Sequence, residues 1–357
     1  MVSLHDERDP FLREICGQPE AVRRAAASFP ASPAGLEEIR ARAASVRTIV
    51  FTGMGSSYDA CYPAVNDLAG RGVPALLVDA AELVHFRRAI LGPDTLVVIV
   101  SQSGESAEIV RLAGDLDKQR GRPFVVSVTN GTQNDLARAA DVRIDSAAGP
   151  EAGPSTLTFS ASMTTLAGIA RLLAGDGVNT AIDRTRTAAE GTALAQERLL
   201  EDPRATAERL TTWHGGRDVT VLLGRGPARA AAEMGALLLK ECGVMAESLE
   251  SAAFRHGPLE LAGPQMAAVV FATEPETRRL DLSLAADLVD AGSAVLVVTP
   301  DGEEPKGATS IATSYLDRAL VSSASIVPVQ LLGWSLAVAA GREPGAYTRA
   351  TKITTRE

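Results

Sequence analysis

Two stretches of this chain, TIVFTGMGSS at residues 48–57 and VTVLLGRGPA at 219–228, share one plan. Each is a short β-branched, apolar run, then Gly-x-Gly, then a segment of helical period. A Gly-x-Gly between strand and helix makes a turn tight enough to set a helix N-terminus beside a strand end. Meeting it twice predicts two copies of one α/β unit. After the first copy, apolar runs follow at 76–78, 96–100, 124–128 and 142–144; after the second, at 266–271 and 294–299. LVVIV at 96–100 reads as a strand buried on both faces. Strands alternating with helical stretches of about 10 to 15 residues predict a parallel sheet covered by helices.

Between the copies, residues 175–215 are charged and rich in Ala, Thr, Glu and Arg, which predicts bridging helix interrupted at Gly191 and Pro203. The mostly apolar stretch 323–341 reads as a core helix, and YTRATKITTRE at the end as an extended tail. With 35 Lys and Arg against 44 Asp and Glu, the formal charge is −9, which argues against a nucleic-acid or anionic-membrane surface. No uninterrupted apolar run approaches the roughly 20 residues that span a bilayer, and no secretion signal opens the chain. Cys16, Cys61 and Cys242 form no paired framework, and the four histidines show no ligand cluster. The expectation is a cytoplasmic protein without metal or cofactor.

The chemistry-bearing residues sit where strands end. SQSGES, after the strand at 96–100, sets Ser101, Ser103 and Ser106 hydroxyls, the Gln102 amide and a tight turn at Gly104 beside a helix N-terminus. Ser56 and Ser57 come from the GMGSS turn. Helix-terminal amides and hydroxyls together form an anion cradle, and ligands of open α/β sheets bind at the strands' carboxyl ends.

The same residues carry a resemblance. FLREICGQPEAVRR, GMGSSYDA, LVVIVSQSGESAE, VTNGTQNDLARAADV, LLGRGPARAAAEMGALLLKE, FRHGPLEL and TKITTRE resemble, in order, the double sugar-isomerase (SIS) domain. They are similar to the isomerase half of glucosamine-6-phosphate synthase and its deaminase relatives, from about Pro10 to the C-terminus. The resemblance implies two flavodoxin-like α/β lobes, residues 20–175 and 200–345, with a tail at 346–357. It implies a sugar-phosphate site at Ser56, Ser57, Ser101, Gln102, Ser103 and Ser106. It further implies that Glu241 carries a proton between C1 and C2, that His256 opens the sugar ring from a neighbouring subunit, and that Lys352 can form a Schiff base with a ketose. Tyr58 and Glu151 are neighbours of these motifs. A homodimer with shared sites goes with the family.

One base that takes and returns a proton suits a carboxylate in a dry pocket, and an imidazole can serve the ring oxygen near neutral pH. Three departures bear on the substrate. The synthase begins with a glutaminase whose N-terminal cysteine is the nucleophile, whereas this sequence starts Met1-Val2-Ser3 and has Cys16 in the opening helix. Leu238 and Leu157 stand where the family has lysines. The segment between Glu241 and His256 is one residue shorter. The expected function is an isomerising deaminase of an amino-sugar phosphate working without glutaminase. The alternatives are an aldose–ketose isomerase of another phosphorylated or sulfonated sugar, and a sugar-phosphate-binding regulatory module.

Overall fold

The computed structural model describes residues 9–356. The chain opens with α1 (Pro10–Cys16), α2 (Gln18–Ser28) and α3 (Pro33–Ala43). Strands β1 (Thr48–Thr52), β2 (Ala75–Leu77), β3 (Thr95–Val100), β4 (Phe124–Thr129) and β5 (Val142–Asp145) follow. They alternate with α4 (Ser56–Gly70), α5 (Ala80–Glu82), α6 (Ala107–Asp117) and α7 (Asp135–Ala139), and α8 (Leu157–Leu173) comes after β5. Two long helices, α9 (Val178–Leu199) and α10 (Pro203–His214), lead to β6 (Val219–Gly224), α11 (Arg229–Glu241), β7 (Ala246–Glu250) and α12 (Ser251–Phe254). The chain closes through β8 (Met266–Phe271), α13 (Arg278–Asp290), β9 (Ala294–Thr299), β10 (Thr309–Ala312), α14 (Val321–Ser325) and α15 (Val327–Ala339).

Both sheets have five strands and only parallel pairs. Their orders, β2-β1-β3-β4-β5 and β10-β9-β8-β6-β7, are the same winding met twice. The repeated α/β unit read from the two Gly-x-Gly turns is therefore real, with flavodoxin-like strand order in each copy. The chain divides into two compact units. The first lobe contains Glu20–Glu151, Leu157–Glu190 and the tail from Thr348. The second contains the described residues through Pro19, the short stretch Ala152–Thr156, and Gly191–Tyr347.

In the first lobe β3 and β4 are buried along their whole length, because helices cover both faces of the sheet. Val50, Val97, Ile99 and Val125 meet Ile109, Leu112 and Leu116 of α6 on one face. On the other, α8 is buried at all 17 positions and packs against α3 and α4. Its Thr164 and Thr165 satisfy their hydroxyls on the carbonyls of Ser160 and Ala161, one turn back. In the second lobe Val221, Leu223, Val270 and Val297 pack on Leu284 and Leu288 of α13, while α10 and α11 contact α15.

Several expectations need correction. Gly191 lies inside α9 without breaking it; a single glycine costs about 1 kcal/mol in a helix and does not forbid one. At Pro203 the expected interruption is present: α9 ends at Leu199 and Pro203 starts α10, at the position where no N–H is needed, behind the Asp202 side chain that accepts from Ala205 N. β7 and β10 were not read, because AESLE and TSIA are sheet-edge strands with no apolar run. Residues Val321–Ala339 are long and apolar enough on average to cross a membrane, although serines and Gln330 interrupt the run, in keeping with the reading above. They are 83% buried inside the protein, and Ser322, Gln330 and Ser335 bond internally there, as a core helix requires.

Gly168 of α8 tests this packing. A Cβ there would lie 2.5 Å from the ring of buried Phe29. Gly168→Val is expected to destabilise the protein by about 1–3 kcal/mol through overpacking, read as a lower urea midpoint.

Candidate functional site

The winding order reverses between β1 and β3, so the crevice for a ligand in the first lobe opens between the turns that leave those strands. Gly53 lets them close up: a Cβ there would sit 2.9 Å from the Val100 carbonyl and equally near the α4 backbone at Tyr58 N. Ser56 and Ser57 begin α4, half-buried, and Ser101 to Ser106 line the exit of β3.

The SQSGES turn is built by its own backbone. Ser101 is nearly buried and its hydroxyl oxygen accepts from Gly104 N at 3.0 Å; the Ser103 oxygen accepts from Glu105 N at 3.1 Å. Both hydroxyl protons remain for another acceptor. Ser106 occupies the N-cap of α6 but makes no side-chain capping bond, so its hydroxyl is not spent on the helix. Gly104 has φ +68°, and a Cβ would lie 2.1 Å from the Asn134 side-chain oxygen. The neighbouring TNGTQND turn braces the loop, with Asn130 N donating to the Gln102 carbonyl and Leu136 N to that of Gly104.

Bracing continues around the lobe. Asn130 Nδ2 donates to the Gly149 carbonyl at 2.8 Å, in the loop that carries Glu151. The Glu151 side chain has no solvent exposure. Its carboxylate accepts from Thr158 N at 3.1 Å and from the Thr158 hydroxyl at 2.5 Å, and it pairs with Lys352 Nζ at 2.7 Å. Two residues further, the Thr354 carbonyl accepts from Ala107 N, the first amide of α6. The tail thus returns to the helix that starts behind SQSGES. Glu151, noted only as a motif neighbour in the sequence, is the partner of the predicted lysine.

Glu241 and His256 belong to the second lobe. Glu241 is the exposed last residue of α11, 3.4 Å from the Tyr347 hydroxyl. His256 is exposed in the turn after α12, its N–H bonded to the Ala253 carbonyl. Beside Glu241, Cys242 is buried, and burial pushes its thiol up to about 12, so it packs as a small hydrophobe and is no nucleophile. His214, bonded to the Thr220 hydroxyl at 3.0 Å, is structural, and His85 is exposed.

The second lobe's own reversal point, between β6 and β8, is occupied by protein. Arg225, the middle residue of Gly-Arg-Gly, donates from Nε to Asp281 Oδ1 at 2.8 Å and lies 3.5 Å from Glu250. Asp281 is buried and also accepts from the Thr277 hydroxyl; burial raises its carboxyl and the Arg225 guanidinium opposes that rise. In the first lobe the equivalent residue is uncharged Met54.

The sequence matches the SIS domain family twice, at residues 44–170 and 218–340. The chain belongs to the SIS domain family. It is 27% identical over 351 residues to the isomerizing glutamine–fructose-6-phosphate aminotransferase of Pyrobaculum aerophilum, covering 97% of this chain and 57% of that protein. With the Caulobacter vibrioides aminotransferase it shares 32% over 281 residues, 74% of this chain and 45% of the other. This SIS chain therefore spans about half the length of the curated relatives it matches. Among solved structures, the C-terminal domain of glucosamine-fructose-6-phosphate aminotransferase from Francisella tularensis superposes with a TM-score of 0.84 at 22% identity, over 96% of this chain and 99% of that one. A glucosamine-6-phosphate deaminase from Thermotoga maritima gives 0.75 at 19%, over 97% and 99%. Tagatose-6-phosphate ketose/aldose isomerase from Escherichia coli gives 0.79 at 20%, over 94% of each chain. These structures share the SIS fold.

Gly104→Ala is expected to cost at least about 1–2 kcal/mol from the left-handed backbone alone, with the Asn134 clash added, measured by chemical denaturation. Glu151→Gln removes the charge that holds the tail. Trypsin is expected to cut after Arg349 or Lys352 about tenfold faster than in the unaltered protein, since a loss of about 1.4 kcal/mol in tail docking multiplies the open population by ten.

Proposed function

We propose that this SIS protein moves a proton between C1 and C2 of a phosphorylated sugar and, on an amino-sugar phosphate, releases the nitrogen as ammonia. The observation that carries the reading is the Lys352–Glu151 pair, which seats an amine in the lobe whose strand-end turns present the hydroxyls of Ser56, Ser57, Ser101, Ser103 and Ser106. These neutral dipoles and the Gln102 amide, beside helix N-termini, can hold a phosphate without a cationic side chain.

With glucosamine 6-phosphate in its open form, Glu241 takes the C2 proton and returns it to C1. One proton of the substrate's ammonium passes to O1, so the aldehyde becomes a hydroxymethyl group and C2 an iminium. Water adds at C2, ammonia leaves, and fructose 6-phosphate remains. Lys352, once it has given up a proton, can instead attack C2, expel ammonia and form an iminium that water then hydrolyses. His256 gives the ring oxygen its proton on opening. Its exposure in a turn supports supply from a second copy, hence a homodimer, and a cytoplasmic location goes with this substrate class.

Incubation with glucosamine 6-phosphate is expected to yield ammonia and fructose 6-phosphate in equal amounts, and Glu241→Gln to lower kcat by about 10²–10⁴-fold. Neither product forming rejects this substrate. Ketose formation without ammonia from another phosphorylated or sulfonated aldose, with Lys352→Ala tolerated, assigns a plain isomerase instead.

A further inference from the structure

In the second lobe the strand ends of β8, β9 and β10 surround a cavity of about 150 Å³. A water takes roughly 30 Å³ of liquid volume, so the space exceeds what one or two solvent molecules fill. Pro275, Pro300 and Val321 form apolar walls, Glu274 and Arg318 the polar side, and Tyr315, 67% exposed, stands at the lip.

The polar side is only half used. Glu274 is buried, and its Oε2 accepts from Arg318 Nε at 3.0 Å. Its Oε1 has just a 3.4 Å contact with the Thr273 hydroxyl. Arg318 Nη2 goes to Glu276, and Nη1 has no partner among the described residues. A carboxylate acceptor and a guanidinium donor thus lie side by side with capacity left on each, while Glu276 takes the far Nη2 of the guanidinium. Vicinal hydroxyls match that pair, since each can donate to the carboxylate and accept from the guanidinium. A phosphate would meet Glu274 and Glu276; an ammonium would meet Arg318.

We propose that this cavity binds an unphosphorylated monosaccharide edge-on, with two adjacent hydroxyls shared between Glu274 and Arg318 and the apolar face of the ring against Tyr315. It lies at the carboxyl ends of strands, where α/β sheets take ligands, in a lobe whose reversal point Arg225 already fills. The site is independent of the chemistry proposed for the first lobe.

Saturation-transfer NMR and calorimetry with glucose and fructose at about 10 mM, a concentration that reveals even millimolar affinity, test it. Binding is expected, unchanged by saturating fructose 6-phosphate, and weakened about tenfold, or about 1.4 kcal/mol, by Glu274→Gln and by Tyr315→Ala. Tyr315 is exposed, so its variant decides the matter if Glu274→Gln unfolds. No binding of either sugar, displacement by fructose 6-phosphate, or affinity unchanged in both variants overturns the proposal.

Discussion

A carboxylate without solvent needs a cation and hydrogen-bond donors, and at Glu151 the cation comes from 201 residues away in the chain. That requirement organises the first lobe. Glu151 takes the Thr158 amide and hydroxyl at the start of α8, and it takes Lys352 from the tail. The next two residues are held differently: Ala152 N and Gly153 N donate to Glu14 of α1, at 2.6 and 3.2 Å. The opening motif FLREICGQP thereby acquires a physical meaning. Glu14 grips a loop, Gln18 bonds the Ile15 carbonyl and Gln330, and Asp9, which caps α1, accepts from the Trp334 indole. Three polar side chains of one short segment thus fix backbone and side chains far along the sequence.

The duplicated fold puts a helix N-terminus and a Gly-x-Gly at the same place in each lobe, yet the two places differ in charge. In the first lobe the turn carries Met54, and the serines remain uncharged. In the second, Arg225 fills the crevice and is neutralised by Asp281 and Glu250. An arginine held by a buried carboxylate cannot be withdrawn cheaply, because Asp281 would be left buried without a cation. The second reversal point is thus closed by its own side chains. The geometry is present twice, and the residue between the two glycines, Met54 or Arg225, gives the two copies different charge.

Much of the fold was legible, and the reasons are local. Strands buried on both faces must be continuous apolar runs, so β1, β3, β4, β6, β8 and β9 announced themselves. β7 and β10, at sheet edges, are partly wet and carry no such run. α8 escaped because its buried positions include Ser160, Thr164 and Thr165, which break up the apolar pattern; the two threonine hydroxyls bond to the preceding turn. Candidate site residues divide in the same way. The serine-rich turns showed themselves by position after a strand. Lys352 and Glu241 came only through the family resemblance. The pairing of Lys352 with Glu151 depends on a contact across most of the chain, for which one sequence holds no periodic or spacing signal.

The two leucines at family lysine positions take on a different meaning in three dimensions. Leu157 packs with Ala21, Ala25, Ala148 and Ala161, and Leu238 is fully buried, lying where a Cβ on Gly333 would touch it at 2.8 Å. Both are parts of hydrophobic cores. Restoring a lysine at either would bury an ammonium among methyl groups, a cost the surrounding alanines and glycine give no means to offset. The departure from the family is therefore a repacking that involves several neighbours at once.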